Sequence, residues 1–120
     1  MTSGRGRHYG GLAAEEAALR LYEAEGAQPI ARRWRCPEGE IDLVLRAGPT
    51  IVFVEVKARR DRDAAAGAIT AAQWRRLRAA AERYLAEAAD PGADCRFDVV
   101  VVDRQGRAER IANAASFDEW

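Results

Sequence analysis

Residues 39–57, GEIDLVLRAGPTIVFVEVK, constrain this chain more than any other stretch. Two segments, GEIDLVLR and TIVFVEVK, alternate apolar and polar residues and are joined by a Gly48-Pro49 turn, which is the pattern of two strands in a tight hairpin. The alternation puts Ile41, Leu43, Val52, Val54 and Val56 on one face. Glu40, Asp42, Phe53, Glu55 and Lys57 fall on the other. A turn centred between Gly48 and Pro49 pairs position 42 with 55 and position 40 with 57, so two carboxylates and an ammonium converge. A slip of one residue would send Asp42 and Glu55 to opposite faces, so the convergence depends on the turn.

The segments on either side supply what such a hairpin needs for burial. Residues 1–10 are polar and rich in Gly and Arg and read as a flexible arm. A helix is expected from about Gly11 to Glu25, with Ala14, Ala17, Ala18, Leu21 and Tyr22 at helical spacing, Glu15 on its first turn and Gly26 as its stop. Residues 28–35 read as a strand, and residues 58–68 as a mobile charged loop. Thr70 and Gln73 form the T-x-x-Q capping pattern ahead of a second helix, whose apolar stripe is Trp74, Leu77, Ala81, Tyr84, Leu85 and Ala88. Pro91-Gly92 ends that helix, and the four consecutive valines of RFDVVVVD (96–103) predict a strand covered on both faces. Residues 107–111 add a short edge strand after a Gln105-Gly106 turn, and 113–120 form a tail. The order predicts an α/β fold, a mixed sheet flanked by helices, in a single domain over residues 11–112.

Composition narrows the chemistry. Cys36 and Cys95 stand alone, with no CxxC or CxxH spacing, so a disulfide scaffold or zinc ribbon is not expected. His8 is the only histidine and lies in the polar arm, which leaves little for a catalytic triad or haem ligation. No apolar run approaches the roughly 20 residues of a membrane span, and residues 1–11 lack the apolar centre of a signal peptide, so a cytoplasmic protein is expected. Formal net charge is zero, yet arginines cluster at 32, 33 and 35, at 59, 60 and 62, and at 75, 76, 78 and 83. Of the 19 basic residues only Lys57 is a lysine. Arginine cannot replace a compact ammonium packed against carboxylates, so the position of that one lysine points to a chemical role.

Asp42, twelve residues, then Glu55-Val56-Lys57 is the D-x(n)-E-x-K arrangement of metal-dependent phosphodiester cleavage. Magnesium needs only one or two carboxylates beside waters and a phosphate, and it polarises the phosphoryl group. Lys57, two residues from Glu55 and on the same face, is placed to orient water or offset transition-state charge. The plainer reading is a solvated strand face in which Glu40 pairs with Lys57 across the hairpin.

Glu15 with Ala18, the GEIDL of 39–43, VFVEVK of 52–57 followed by Arg59, and RFDVV of 96–100 together resemble the YraN family, uncharacterised bacterial protein family 0102. That family is similar to archaeal Holliday-junction resolvases and to PD-(D/E)xK nucleases. The resemblance covers about residues 8–104 and implies a restriction-endonuclease-like α/β fold. It further implies a magnesium- or manganese-dependent site of Glu15, Asp42, Glu55 and Lys57, with Glu15 completing the metal set, and assembly as a homodimer. Two departures stand out: Gln73 where many members carry lysine, and Ala66-Gly67 where they carry an aromatic residue before glycine. Capping explains Gln73 better than contact with phosphate or a metal-bound water.

The expected function is therefore a structure-selective DNA endonuclease acting on branched or flap DNA. Arg33, Arg35, Arg59, Arg60, Gln73, Arg75 and Arg76 are its candidate phosphate contacts. The alternatives are a nucleic-acid-binding module with an idle carboxylate site, and a small interaction protein.

Overall fold

Ala47 pairs with Thr50 across Gly48 and Pro49, with Gly48 in the left-handed region at φ +60°, so the hairpin closes on the expected turn. The computed structural model describes the backbone of residues 2–59, 69–88 and 92–115, and side chains within 11–59, 69–88 and 92–114. The elements are α1 (Thr2–Ala24), β1 (Gln28–Cys36), β2 (Gly39–Ala47), β3 (Thr50–Ala58), α2 (Ala71–Ala88), β4 (Asp94–Val102) and β5 (Ala108–Ala115).

The five strands form one sheet in the order β1-β2-β3-β4-β5. β1, β2 and β3 pair antiparallel, β3 and β4 pair parallel, and β4 and β5 pair antiparallel. The parallel pair follows from the crossover through α2, which a hairpin cannot supply. The protein is thus α/β, with a mixed sheet and two helices, an arrangement compatible with a restriction-endonuclease-like core.

The helices cover opposite faces. Ala14, Ala17, Ala18, Leu19 and Tyr22 of α1 pack on Leu43, Leu45, Val52, Val54, Val100 and Val102. The alanines let the helix approach the sheet closely, while Tyr22 fills the far end. On the other face Leu77, Ala80, Ala81, Tyr84 and Leu85 of α2 pack on Ile41, Val44, Ile51, Phe53 and Phe97. Aromatic edges lock this second layer: Tyr84 meets Trp34 at 5.3 Å and Phe53 at 5.8 Å, both near-perpendicular. Each such large side chain contributes about 1.5–3 kcal/mol on full burial, so the two layers, rather than helix propensity, hold the helices in place. β3 lies at the centre of the sheet, but from Glu55 on it pairs with β4 alone, because the β2 ladder stops at Val54.

The structure departs from the sequence reading at four places. The β2–β3 ladder stops at Leu43–Val54, so Glu40 and Lys57 are not partners. Ile41 packs in the α2 layer and Leu43 in the α1 layer, although both were expected on one face. Alternation breaks between them, opposite Arg33, which holds φ +52° in β1. The α1 helix begins at Thr2, within the expected arm. β5 runs to Ala115, taking in the first residues of the expected tail, with Asn113 at φ +51° at a shift in register. The expected loop at 58–68 lies outside the described residues from position 60 on, as does the tail from 116.

Candidate functional site

Asp42 occupies the seam where β2 and β3 part. Its Oδ2 accepts the Val56 backbone N–H at 2.8 Å, so the carboxylate takes the place of the next ladder bond. From that seam it faces the Glu55 carboxyl group closely enough to feel its charge, and it feels that of Glu15 as well. Burial, then the Glu55 charge, push the Asp42 carboxyl up to about 8, against the lowering effect of the Val56 amide. The Asp42 carboxyl therefore keeps its proton to higher pH unless a cation takes its place.

Glu55 is buried because it lies on β3, the central strand, with α2 overhead. Its Oε2 receives two donors: Lys57 Nζ at 3.2 Å and Gln73 Nε2 at 3.2 Å. Lys57 lies two residues on along the strand, on the same face, and is itself largely buried at 14% side-chain exposure. Its partner is thus the neighbouring glutamate rather than Glu40, which lies 3.8 Å from Arg35.

Thr70 caps α2 as the sequence suggests, its Oγ1 accepting the Gln73 N–H at 3.1 Å. The Gln73 side chain does not complete the box. It turns inward to Glu55, so the reading of Gln73 as only a capping residue is corrected. A signal for this was present: Gln73 is in phase with Leu77, Ala80 and Tyr84 at i+4, i+7 and i+11, which puts it at the start of the buried stripe.

Glu15 is buried on α1, in phase with Ala18, Leu19 and Tyr22. Arg33 Nε reaches both its oxygens, at 3.0 and 3.1 Å. Arg32 and Arg33 are adjacent on β1, yet both turn toward α1, Arg32 to Glu16 at 2.7 Å and Arg33 to Glu15. Side chains on a regular strand alternate; the left-handed conformation of Arg33 is what lets two successive arginines share a face. Among the described residues no three His, Cys, Asp or Glu groups stand close enough to form a ready-made metal site. The structure therefore brings together Asp42, Glu55, Lys57 and Gln73, and sets Glu15 beside them in the hand of Arg33.

A divalent ion fits this donor set. Asp42 and Glu55 are hard oxygen donors, already desolvated and mutually repelling, and magnesium asks for no more than one or two carboxylates.

Of the candidate phosphate contacts, Arg75 and Arg76 are exposed on the first turns of α2 and make no ion pair among the described residues. Arg35 is exposed beside Glu40. Arg60 lies outside the described residues. Arg78 and Arg83, in the same cluster by sequence, are engaged within the fold: Arg78 with Glu82, Arg83 with Glu38, whose carboxyl it holds down to about 2. Arg59 lines an open pocket of about 370 Å³ with Ala58, Val102, Asp103 and Arg104, at the C-terminal ends of the parallel strands β3 and β4. Asp103 is saturated there by the Gln105 and Arg107 amides and the Arg107 side chain, so the pocket presents mainly the two arginines. Arg104 was not among the residues singled out from the sequence.

These features define a small α/β protein with a paired-carboxylate and lysine centre at the splayed end of a sheet hairpin. The family model described as uncharacterised protein family UPF0102 matches residues 14–102, and the chain belongs to that family, which is the YraN family. A UPF0102 protein of Ruegeria pomeroyi is 48% identical over 112 residues, covering 92% of this chain and 91% of its own. One from Cereibacter sphaeroides is 43% identical over 93% of this chain and 97% of its own. One from Ralstonia nicotianae is 50% identical over 78% and 76%. No helix among the described residues is long and apolar enough to cross a membrane.

Proposed function

We propose that this protein is a magnesium- or manganese-dependent endonuclease that cuts branched or flap DNA, with Asp42 and Glu55 as the metal ligands. The observation that carries the reading is the convergence of half-buried Asp42, held in the seam by the Val56 N–H, on buried Glu55, whose Oε2 lies 3.2 Å from Lys57 Nζ. A purely structural strand face has no use for that repulsion, whereas a cation converts it into affinity. When bound, the ion supplies positive charge against a scissile phosphate.

The remaining steps belong to the chain's own residues. Lys57 Nζ keeps the Glu55 carboxylate in place and offers its remaining protons to an attacking water or a phosphate oxygen. Gln73 Nε2, on the same oxygen of Glu55, fixes the carboxylate's rotation from the α2 side. The Val56 amide fixes Asp42 in the seam. Arg75 and Arg76 on α2, with Arg59 and Arg104 at the pocket, offer guanidinium groups to the flanking backbone phosphates. A four-way junction cut symmetrically requires two such centres, which a homodimer supplies.

The test is cleavage of labelled four-way junction, flap and plain duplex DNA by metal-free protein, with and without added manganese, alongside Glu55→Ala and Lys57→Ala. Metal-dependent cutting by the wild type that both variants lose supports the reading. Equal cutting by all three overturns it. Salt-sensitive DNA binding with no cutting and no manganese uptake would instead identify a binding module with an idle site.

A further inference from the structure

Arg33 is fixed from several directions at once. It holds a backbone conformation that a non-glycine residue adopts only when its surroundings require it. The pairs on either side, Arg32–Leu43 and Trp34–Ile41, set it across from Asp42. Its Nε spans both oxygens of the buried Glu15, and its Nη2 lies close over Gly11 of α1, where a Cβ would stand 3.6 Å away. The charges of Glu15, Glu40 and Asp42 all act on this one guanidinium. A group that keeps its proton at every accessible pH therefore sits between the helix carboxylate and the Asp42–Glu55 pair.

From this geometry we infer that Arg33 takes the place of a second metal ion, so that each chain binds one divalent cation, at Asp42 and Glu55, while Glu15 serves as the counter-ion of Arg33 and not as a ligand. The inference rests on the metal site proposed above and fixes its stoichiometry. A second cation drawn to Glu15 would have to displace a guanidinium whose Nε–H is shared between both oxygens of a carboxylate that is 5% exposed, and would meet the displaced charge at once. The Glu15–Arg33 pair is neutral as a unit. Exchanging it for another neutral pair should leave the first ion's affinity unchanged.

The experiment is calorimetric titration of the metal-stripped full chain with manganese chloride, with electron paramagnetic resonance of the loaded protein to separate isolated from coupled ions. The wild type is expected to take one manganese and to give the spectrum of an isolated ion. Arg33→Asn, in which asparagine tolerates the left-handed backbone, is expected to take a second, weaker ion once Glu15 is released. That variant leaves a buried carboxylate unpaired, which puts its folding at risk, so the double variant Glu15→Gln, Arg33→Asn provides an independent arm. It is expected to bind one manganese within about threefold of wild-type affinity, as exchange of one neutral pair for another requires. Two ions in the wild type, a single ion in folded Arg33→Asn, or a loss of at least about tenfold in the double variant, the scale of a lost ligand, would each overturn the inference and leave the metal site standing. No manganese uptake by the wild type would overturn the proposed metal site, and this inference with it.

Discussion

The Asp42 side chain closes the β2–β3 seam by accepting the Val56 N–H at 2.8 Å, and in doing so it is brought against Glu55. One contact thus serves both the sheet and the centre, and the two services can be separated. Asparagine at position 42 keeps the acceptor for Val56 and can donate to Glu55, but removes the repelling charge. Asp42→Asn is expected to stabilise the metal-free protein at neutral pH by about 1–3 kcal/mol, the scale of an uncompensated buried polar group, while abolishing manganese uptake. Asp42→Ala, which leaves the Val56 amide unpaired, is expected to destabilise by a similar amount. Thermal denaturation in a chelator, with a manganese titration of the same samples, distinguishes these outcomes. A manganese signal in Asp42→Asn equal to the wild type's would remove Asp42 from the ligand set.

The same carboxyl gives the stability a pH dependence. Its value is raised on folding from an ordinary 3.8 to about 8, so the folded state binds the proton more tightly than the unfolded chain does. The associated stability is complete below about pH 4 and is lost as the pH rises toward 8. Metal-free protein is therefore expected to melt at a falling temperature between about pH 4 and pH 8, and manganese, which needs the deprotonated pair, should offset the fall most at the alkaline end. A flat profile in Asp42→Asn would assign the effect to this group. A wild-type melting temperature that climbs over the same range would contradict it.

Much of this arrangement is legible in the sequence because it follows from period-two alternation and turn chemistry. Gly48-Pro49 sets the hairpin register, the four valines mark a covered strand, and Thr70 marks the start of α2. Glu55 and Lys57 share a face for the same reason. What alternation misses is where it is broken. The shift of Ile41 to the α2 layer and of Arg33 toward α1 depends on one arginine at positive φ, and a conformation imposed by packing leaves no trace in residue type. The engagement of Glu15 by Arg33 is hidden likewise, since it joins residues eighteen positions apart through that same irregular strand. Gln73 was legible in principle, but the capping pattern supplied a sufficient local explanation and masked the helical phase that points it inward.

The two residues of that capping pattern make separable predictions. Thr70→Ala removes the N-cap and is expected to cost about 1 kcal/mol with little effect on manganese affinity. Gln73→Ala should leave stability within about 0.5 kcal/mol of wild type, as for most partly exposed helix positions, yet lower cleavage through a less ordered Glu55. Melting temperature and DNA-cutting rate measured on both variants separate the roles. If Gln73→Ala loses stability alone and keeps full activity, Gln73 belongs to the cap.

A further buried carboxylate, beside Val54 on the neighbouring strand, holds α1 to the sheet. Asp98 on β4 is fully buried and accepts from Tyr22 Oη at 2.6 Å, from the Asn113 N–H at 2.8 Å and from Arg96 Nε at 3.1 Å. Burial and the Asp98 charge push the Tyr22 phenol well above its ordinary range, so it should not ionise before the protein unfolds in alkali. Tyr22→Phe removes one of three donors from a charge that keeps the other two, and is expected to cost about 1–2 kcal/mol. Asp98→Ala strands all three donors at once and is expected to cost about 3–5 kcal/mol, the penalty for breaking a buried charged network. The double variant should then be less destabilised than the sum of the two, because a phenyl ring at position 22 no longer presents a hydroxyl to the missing carboxylate. Urea denaturation of the three variants measures the coupling directly. Additive losses would mean that the Tyr22 hydroxyl contributes independently of the Asp98 carboxylate.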